Sequence, residues 1–110
     1  MTKLQYAQLR IFTDELAPSG DVPLWEDILD HAKSHGLLGF TIVRGWVGYG
    51  PRKLNHELHL PDPKYPLIIE IIDEESLLRA FAEEIGPKHG IGLVTLGPVE
   101  VLHGMRRAEG

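Results

Sequence analysis

Leu67-Ile68-Ile69-Glu70-Ile71-Ile72 is the strongest strand signal in the chain, aliphatic at every position but one. In extended backbone, alternate side chains point to opposite faces. Leu67, Ile69 and Ile71 therefore share one face, and Ile68 and Ile72 share the other. A strand that is apolar on both faces is normally buried on both. A layer of helices can cover one of them, so the pattern predicts a partner subunit over the other. A monomer with one apolar face left bare is the rival reading.

Downstream of this strand, Asp73 is predicted to cap a helix whose first turn carries Glu74 and Glu75, acids suited to its positive end. Leu77, Leu78, Phe81, Ala82 and Ile85 form the expected buried stripe, and Gly86-Pro87 ends it. After the tight connection Lys88-His89-Gly90, Gly92 to Leu96 and Val99 to Leu102 predict one last strand, or two broken at Gly97-Pro98. Upstream, Leu4 to Thr13 alternates Ala7, Leu9 and Ile11 with Gln8 and Arg10, the period of a strand with two unlike faces. Ala17-Pro18-Ser19-Gly20 is a turn and Asp21 a candidate helix cap. Pro23 suits a first helical turn, where its missing N–H costs little. Leu24, Trp25, Ile28, Leu29 and Ala32 follow at helical spacing, with Gly36 as the stop. Phe40 to Val47 is a second strand. Between it and Leu67, residues 51–66 hold Pro51, Pro61, Pro63 and Pro66 with little periodicity, and are predicted to be a long mobile loop.

The order β-α-β-β-α-β defines an α+β fold. It packs most simply as a ferredoxin-like sandwich, a four-stranded antiparallel sheet with both helices on one face. Residues 1–110 are expected to form a single domain, with 103–110 as a tail. At this length one core suffices for a two-layer fold, burying roughly two thirds of the surface the unfolded chain exposes.

Composition removes several function classes. With no cysteine there is no disulfide, thiolate metal site or Cys nucleophile, a usage that suits the cytoplasm. No basic segment followed by an apolar core opens the chain, and no apolar run approaches the ~20 residues of a membrane span. A net charge of −5 argues against nucleic-acid binding, which needs a cationic surface. Most of the acid, including Glu26, Asp27, Asp30, Glu83 and Glu84, falls on the predicted helices and is expected to form solvated faces.

Catalytic residues are not evident. Ser19, Ser34 and Ser76 lie in no nucleophile elbow, and no acid–base pair of carboxylates stands out. Of six histidines, His31 and His35 share a helix face at i, i+4 and could chelate a metal. His56 and His59 flank Glu57-Leu58, giving H-E-x-H, one residue short of the zincin spacing and off any predicted helix. The run Gly48-Tyr49-Gly50-Pro51-Arg52-Lys53 joins close-approach glycines to two cations, which suits a small anion. It lacks the Walker spacing and is no P-loop. Gly86-Pro87-Lys88-His89-Gly90 is a second corner of the same character, and an oligomer could bring the two together.

Three stretches together suggest a family. Arg44-Gly45-Trp46-Val47-Gly48-Tyr49-Gly50, Tyr65-Pro66-Leu67-Ile68-Ile69-Glu70-Ile71-Ile72-Asp73 and Gly92-Leu93-Val94-Thr95-Leu96 resemble the PII-like bacterial proteins of domain of unknown function 190. The likeness spans nearly the whole chain. It implies a ferredoxin-like homotrimer related to the nitrogen-regulatory PII signalling proteins. Those bind adenine nucleotides in clefts between subunits and engage a target through a long loop after the second strand. By position, Gly48, Tyr49, Gly50, Arg52 and Lys53 would form the base of that loop. Gly86, Lys88, His89 and Gly90 would match the short loop that holds phosphate. Arg106 and Arg107 stand where PII proteins also place basic residues. Two features depart from the PII pattern. Pro51, Arg52 and Lys53 replace its basic residue and glutamine, and the tyrosine modified in PII loops has no counterpart.

The leading expectation is a signalling protein, not an enzyme. It binds a small anionic effector, with AMP, ADP or ATP as candidates, and reports to a transporter or enzyme through the 51–66 loop. A metal-binding trimer using His56 and His59 is the alternative, and a catalyst comes third.

Overall fold

The computed structural model describes residues 5–46 and 65–104. Its elements are β1 (Tyr6–Asp14), β2 (Pro18–Ser19), β3 (Val22–Pro23), α1 (Leu24–Ser34), β4 (Phe40–Arg44), β5 (Pro66–Glu74), α2 (Glu75–Ile85) and β6 (Leu93–Val99). Strands β4-β5-β1-β6 form, in that order, a four-stranded antiparallel sheet, and β2 and β3 form a two-residue ladder of their own. This is the ferredoxin-like arrangement expected from the β-α-β-β-α-β order.

Register explains the core. Leu9 lies opposite Ile71 and Leu96, and Ile11 lies opposite Ile69 and Val94. Phe40 and Ile42 continue the two rows onto β4. Against this face pack Leu24, Ile28 and Ala32 of α1 with Leu78, Phe81 and Ile85 of α2, all buried. Each helix thus contributes one stripe, and the two stripes cover one side of the sheet.

Residues on the other side meet across the same pairs. Val43, Ile68, Phe12 and Leu93 form an apolar row across all four strands, and Thr41, Glu70, Arg10 and Thr95 form a polar row beside it. Arg10 Nε donates to Glu70 Oε2 at 2.9 Å within the polar row. Val43 and Leu93, at the ends of the apolar row, are 42% and 47% exposed.

The helix ends differ in part from expectation. Asp21 does not cap α1; Pro23 holds that position, and no side chain caps it. The β2–β3 ladder takes over, because it brings Ala17 O to the Leu24 N–H at 2.8 Å. The other end follows the sequence. Gly36 has φ +68°, Gly36 N–H donates to Lys33 O, and Leu37 N–H donates to Ala32 O, the paired bonds of a Schellman stop.

Asp73 is not the cap of α2 either, since Glu74 occupies that place. Fully buried, Asp73 accepts from Leu38 N–H at 2.9 Å and from Glu74 N–H at 2.7 Å. It thereby ties the α1–β4 connection to the β5–α2 junction. The first amide of α2 is satisfied by Gln5 O, 2.8 Å from Glu75 N. Leu77, expected in the stripe of α2, lies 38% exposed because it falls off the face shared by Leu78, Phe81 and Ile85. The last strand is single and runs through Gly97-Pro98. A proline is tolerated there because β6 is an edge strand, paired among the described residues with β1 alone.

Candidate functional site

Chain geometry at the end of α2 builds a tight glycine-rich corner. Gly86 N–H donates to Ala82 O at 2.8 Å and Lys88 N–H to Ile85 O at 3.0 Å, so the helix unwinds over one further turn. Gly90 has φ +95°, and a Cβ there would sit 3.0 Å from Ala17 Cβ and 3.1 Å from Leu24 Cδ2. Both the left-handed backbone and the close approach require glycine. Gly90 O accepts from the Thr13 hydroxyl at 2.7 Å, and Gly92 N–H donates to Phe12 O at 2.8 Å. The corner is therefore strapped to the end of β1 and the start of α1.

Its cation is engaged within the chain. Lys88 Nζ lies 2.9 Å from Asp27 Oδ2, which also accepts from the Ser19 hydroxyl at 2.9 Å. His31 Nε2 faces the other oxygen at 3.5 Å. The hydrogen bonds from Lys88, then from Ser19, hold the Asp27 carboxyl below the usual carboxylate range, against a smaller opposing effect of burial. A carboxylate whose folded pKa is depressed stabilises the fold above its unfolded pKa, and that contribution is lost as pH falls through the folded value. The pair thus strengthens the attachment of the corner at neutral pH and weakens it in acid. His89, the neighbouring residue, is exposed.

The His31–His35 pair clasps the two helices. His31 Nδ1 lies 3.4 Å from Glu84 Oε1, and His35 Nε2 makes a short contact with Glu84 Oε2. The His35 ring also stands edge-on to Phe81, with centroids 5.6 Å apart. Among the described residues, no group of three or more His, Asp or Glu side chains is arranged to hold a metal ion. His56 and His59 lie outside the described residues, as do Gly48, Tyr49, Gly50, Arg52, Lys53, Arg106 and Arg107.

A second anchored point lies across β1 from the corner, at the junction of β4 and β5. Gly45 N–H donates to Pro66 O at 2.7 Å, and a Cβ on Gly45 would meet Pro66 Cγ at 2.8 Å. The Arg44 guanidinium lies 4.0 Å over the Tyr65 ring, and its Nε is 3.2 Å from Glu15 Oε2. Glu15 N–H donates to Tyr65 O at 3.0 Å. Trp46, just beyond the clamp, is 84% exposed. Both anchored points flank the same end of β1, where Asp14 pairs with Pro66 on one side and Phe12 with Leu93 on the other.

Of the residues marked in the sequence, Gly86, Lys88, His89 and Gly90 are thus gathered at one corner. Sequence reasoning misses Asp27, Ser19 and Thr13, which hold that corner. Asp27 reads as one more acid on a solvated helix face, and nothing local marks its distant lysine. The pairing of Glu15 with Arg44 escapes notice for the same reason.

The match to the DUF190 family (Uncharacterized ACR) covers residues 6–101. A "UPF0166 protein" of Aquifex aeolicus (strain VF5) is 42% identical over 97 residues, covering 86% of this chain and 91% of that protein. Among solved structures, the fold is similar to that of CPII from Thiomonas intermedia K12. One CPII structure, bound to ADP, AMP and acetate, matches with a TM-score of 0.67 at 20% identity over 94% of each chain. Another, described as a nitrogen regulatory PII-like protein bound to ADP, AMP and bicarbonate, matches at 0.62 and 22% identity, covering 91% of this chain and 99% of that one. At these identities the likeness is one of fold, the PII-like form of the ferredoxin-like sandwich. By the family match and by its curated relative, the chain belongs to the DUF190 family.

Proposed function

We propose that this protein is a PII-like regulator that binds an adenine nucleotide and engages a protein target through its 51–66 segment. One observation carries the reading. The glycine–lysine corner and the Gly45–Pro66 junction, which flanks the 51–66 segment in the chain, lie at the same end of the sheet on either side of β1. A nucleotide phosphate at that end would meet the Gly86–Gly90 backbone and Lys88, with Gly48, Tyr49, Gly50, Arg52 and Lys53 reaching it from the second segment. CPII, which shares the fold, is bound to ADP and AMP, and this supports an adenine nucleotide as the first ligand to test.

In this reading the working unit is a homotrimer, with the apolar row Val43, Ile68, Phe12 and Leu93 covered by neighbouring subunits. The partner beyond the trimer is a protein, such as a transporter or an enzyme, and the protein itself performs no catalysis. Thermal unfolding with AMP, ADP and ATP tests the ligand. A nucleotide at about a hundred times its dissociation constant should stabilise the folded state by roughly 2.7 kcal/mol. Light scattering should return three subunits. The absence of any shift with all three nucleotides would overturn the ligand, and a monomer throughout the micromolar range would overturn the assembly.

A further inference from the structure

The cation that the proposed function assigns to phosphate already holds a carboxylate. Lys88 Nζ lies 2.9 Å from Asp27 Oδ2, and the two side chains are 27% and 23% exposed, so the pair is half-buried rather than a loose surface contact. The carboxylate is itself fixed. Ser19 donates to the same oxygen at 2.9 Å, and Asp27 sits in the first turn of α1, where negative charge is favoured. One lysine ammonium has three donors, but its charge is compensated once. A phosphate approaching this corner therefore meets a lysine already neutralised, and it meets the negative charge of Asp27 as well.

We propose that Asp27 is an internal competitor of the effector. Binding an anion at the corner exchanges the Lys88–carboxylate pair for a Lys88–phosphate pair, and Asp27 sets the affinity by what that exchange costs. The inference rests on the proposed function, because it takes an anionic effector at Lys88. Its content is the role of Asp27, which neither glycine spacing nor the position of the lysine suggests. Affinity at this corner becomes a difference between two charge-assisted contacts rather than the full strength of one. The same exchange loosens the corner from α1, since Asp27 is the α1 side chain to which Lys88 is bound. His31, 3.5 Å from the second Asp27 oxygen and 3.4 Å from Glu84, remains beside the carboxylate that Lys88 would leave.

The test is calorimetric titration of the full chain with ADP at neutral pH. The proteins compared are wild type, Asp27→Asn, Lys88→Ala and the double variant. Asp27→Asn removes the competing charge while keeping the side-chain size, and it should tighten ADP about tenfold, a change of ~1.4 kcal/mol. Lys88→Ala should weaken ADP by a similar factor, and in the double variant the gain from Asp27→Asn should shrink to the residual effect of removing one nearby negative charge. Circular dichroism checks that each variant is folded, and Asp27→Ser replaces Asp27→Asn if that variant is not. Wild type that binds ADP with an affinity unchanged or weakened by Asp27→Asn would overturn the inference and leave the proposed function standing. In that case Asp27 only braces the corner. An equal gain with and without Lys88 would also overturn it, because the effect would then be general electrostatics. Wild type and Asp27→Asn that both fail to bind ADP, and then AMP and ATP titrated in the same way, would overturn the inference together with the nucleotide reading.

Discussion

The two faces of β5 carry nearly the same residue types, yet they are put to different uses. On one face Leu67, Ile69, Ile71 and Asp73 are buried beneath the helices, the last three completely. On the other, Ile68, Glu70 and Ile72 are half-buried, and their neighbours alternate between an apolar row and a polar one. Hydrophobicity alone does not distinguish these faces. What differs is the covering layer, and with it the tolerance for polar groups. The covered face admits an acid only where backbone amides satisfy it, as Leu38 and Glu74 do for Asp73. The open face carries the Arg10–Glu70 pair at its centre, where each charge is met by the opposite side chain.

Substitutions on each face can break or sharpen this contrast. The largest effect is expected from Ile71→Ala. The side chain is fully buried, so its truncation should cost about 2–5 kcal/mol in denaturant unfolding. A cost below about 1 kcal/mol would show that the covered face is loosely packed.

Asp73→Asn comes next. The change replaces an accepting oxygen with a donating NH2, leaving one of two backbone amides facing a donor, at a cost of about 1–3 kcal/mol. Hydrogen exchange should quicken at Leu38 or Glu74. Unchanged protection at both amides would show that Asp73 is dispensable to this junction.

Ile68→Ala, on the open face, should reduce the stability of a single subunit by about 1 kcal/mol or less, since little cover is lost there. In the proposed trimer it should also raise the concentration at which the assembly dissociates. Ile68→Glu should do so more strongly. Light scattering that gave the same trimer stability for wild type and Ile68→Glu would separate the apolar row from the interface.

The smallest effect belongs to Arg10 and Glu70. Their side chains are 48% and 25% exposed, and the pair should be worth roughly 0.2–1 kcal/mol in a double-mutant cycle on the isolated subunit. A larger coupling would mean that an additional layer lowers the dielectric around the pair.

Much of this contrast is legible in the residues themselves. The alternation in 67–72 places Ile69 and Ile71 together, the spacing of Leu78, Phe81 and Ile85 marks the inner face of α2, and Gly36 announces the end of α1. Each of these signals lies within a few residues of its effect. The caps expected at Asp21 and Asp73 fail because a cap depends on which acceptor reaches the first amides. Here Ala17 O and Gln5 O arrive from other parts of the chain. At the candidate site, the glycines of the 86–90 corner are legible from their spacing, whereas the partner of Lys88 is not.

The sequence by itself determined the elements, their inward faces and the glycines at which the chain must turn. Periodicity and backbone sterics are local, and they act on a residue through its immediate neighbours. Only the tertiary structure decided that Asp73 joins two connections, that Arg44 lies between Tyr65 and Glu15, and that Asp27 rather than solvent holds Lys88. Charges and hydrogen-bonding groups choose partners by distance in space. That distance exists only once the sheet has brought the end of β1, the start of α1 and the glycine corner together.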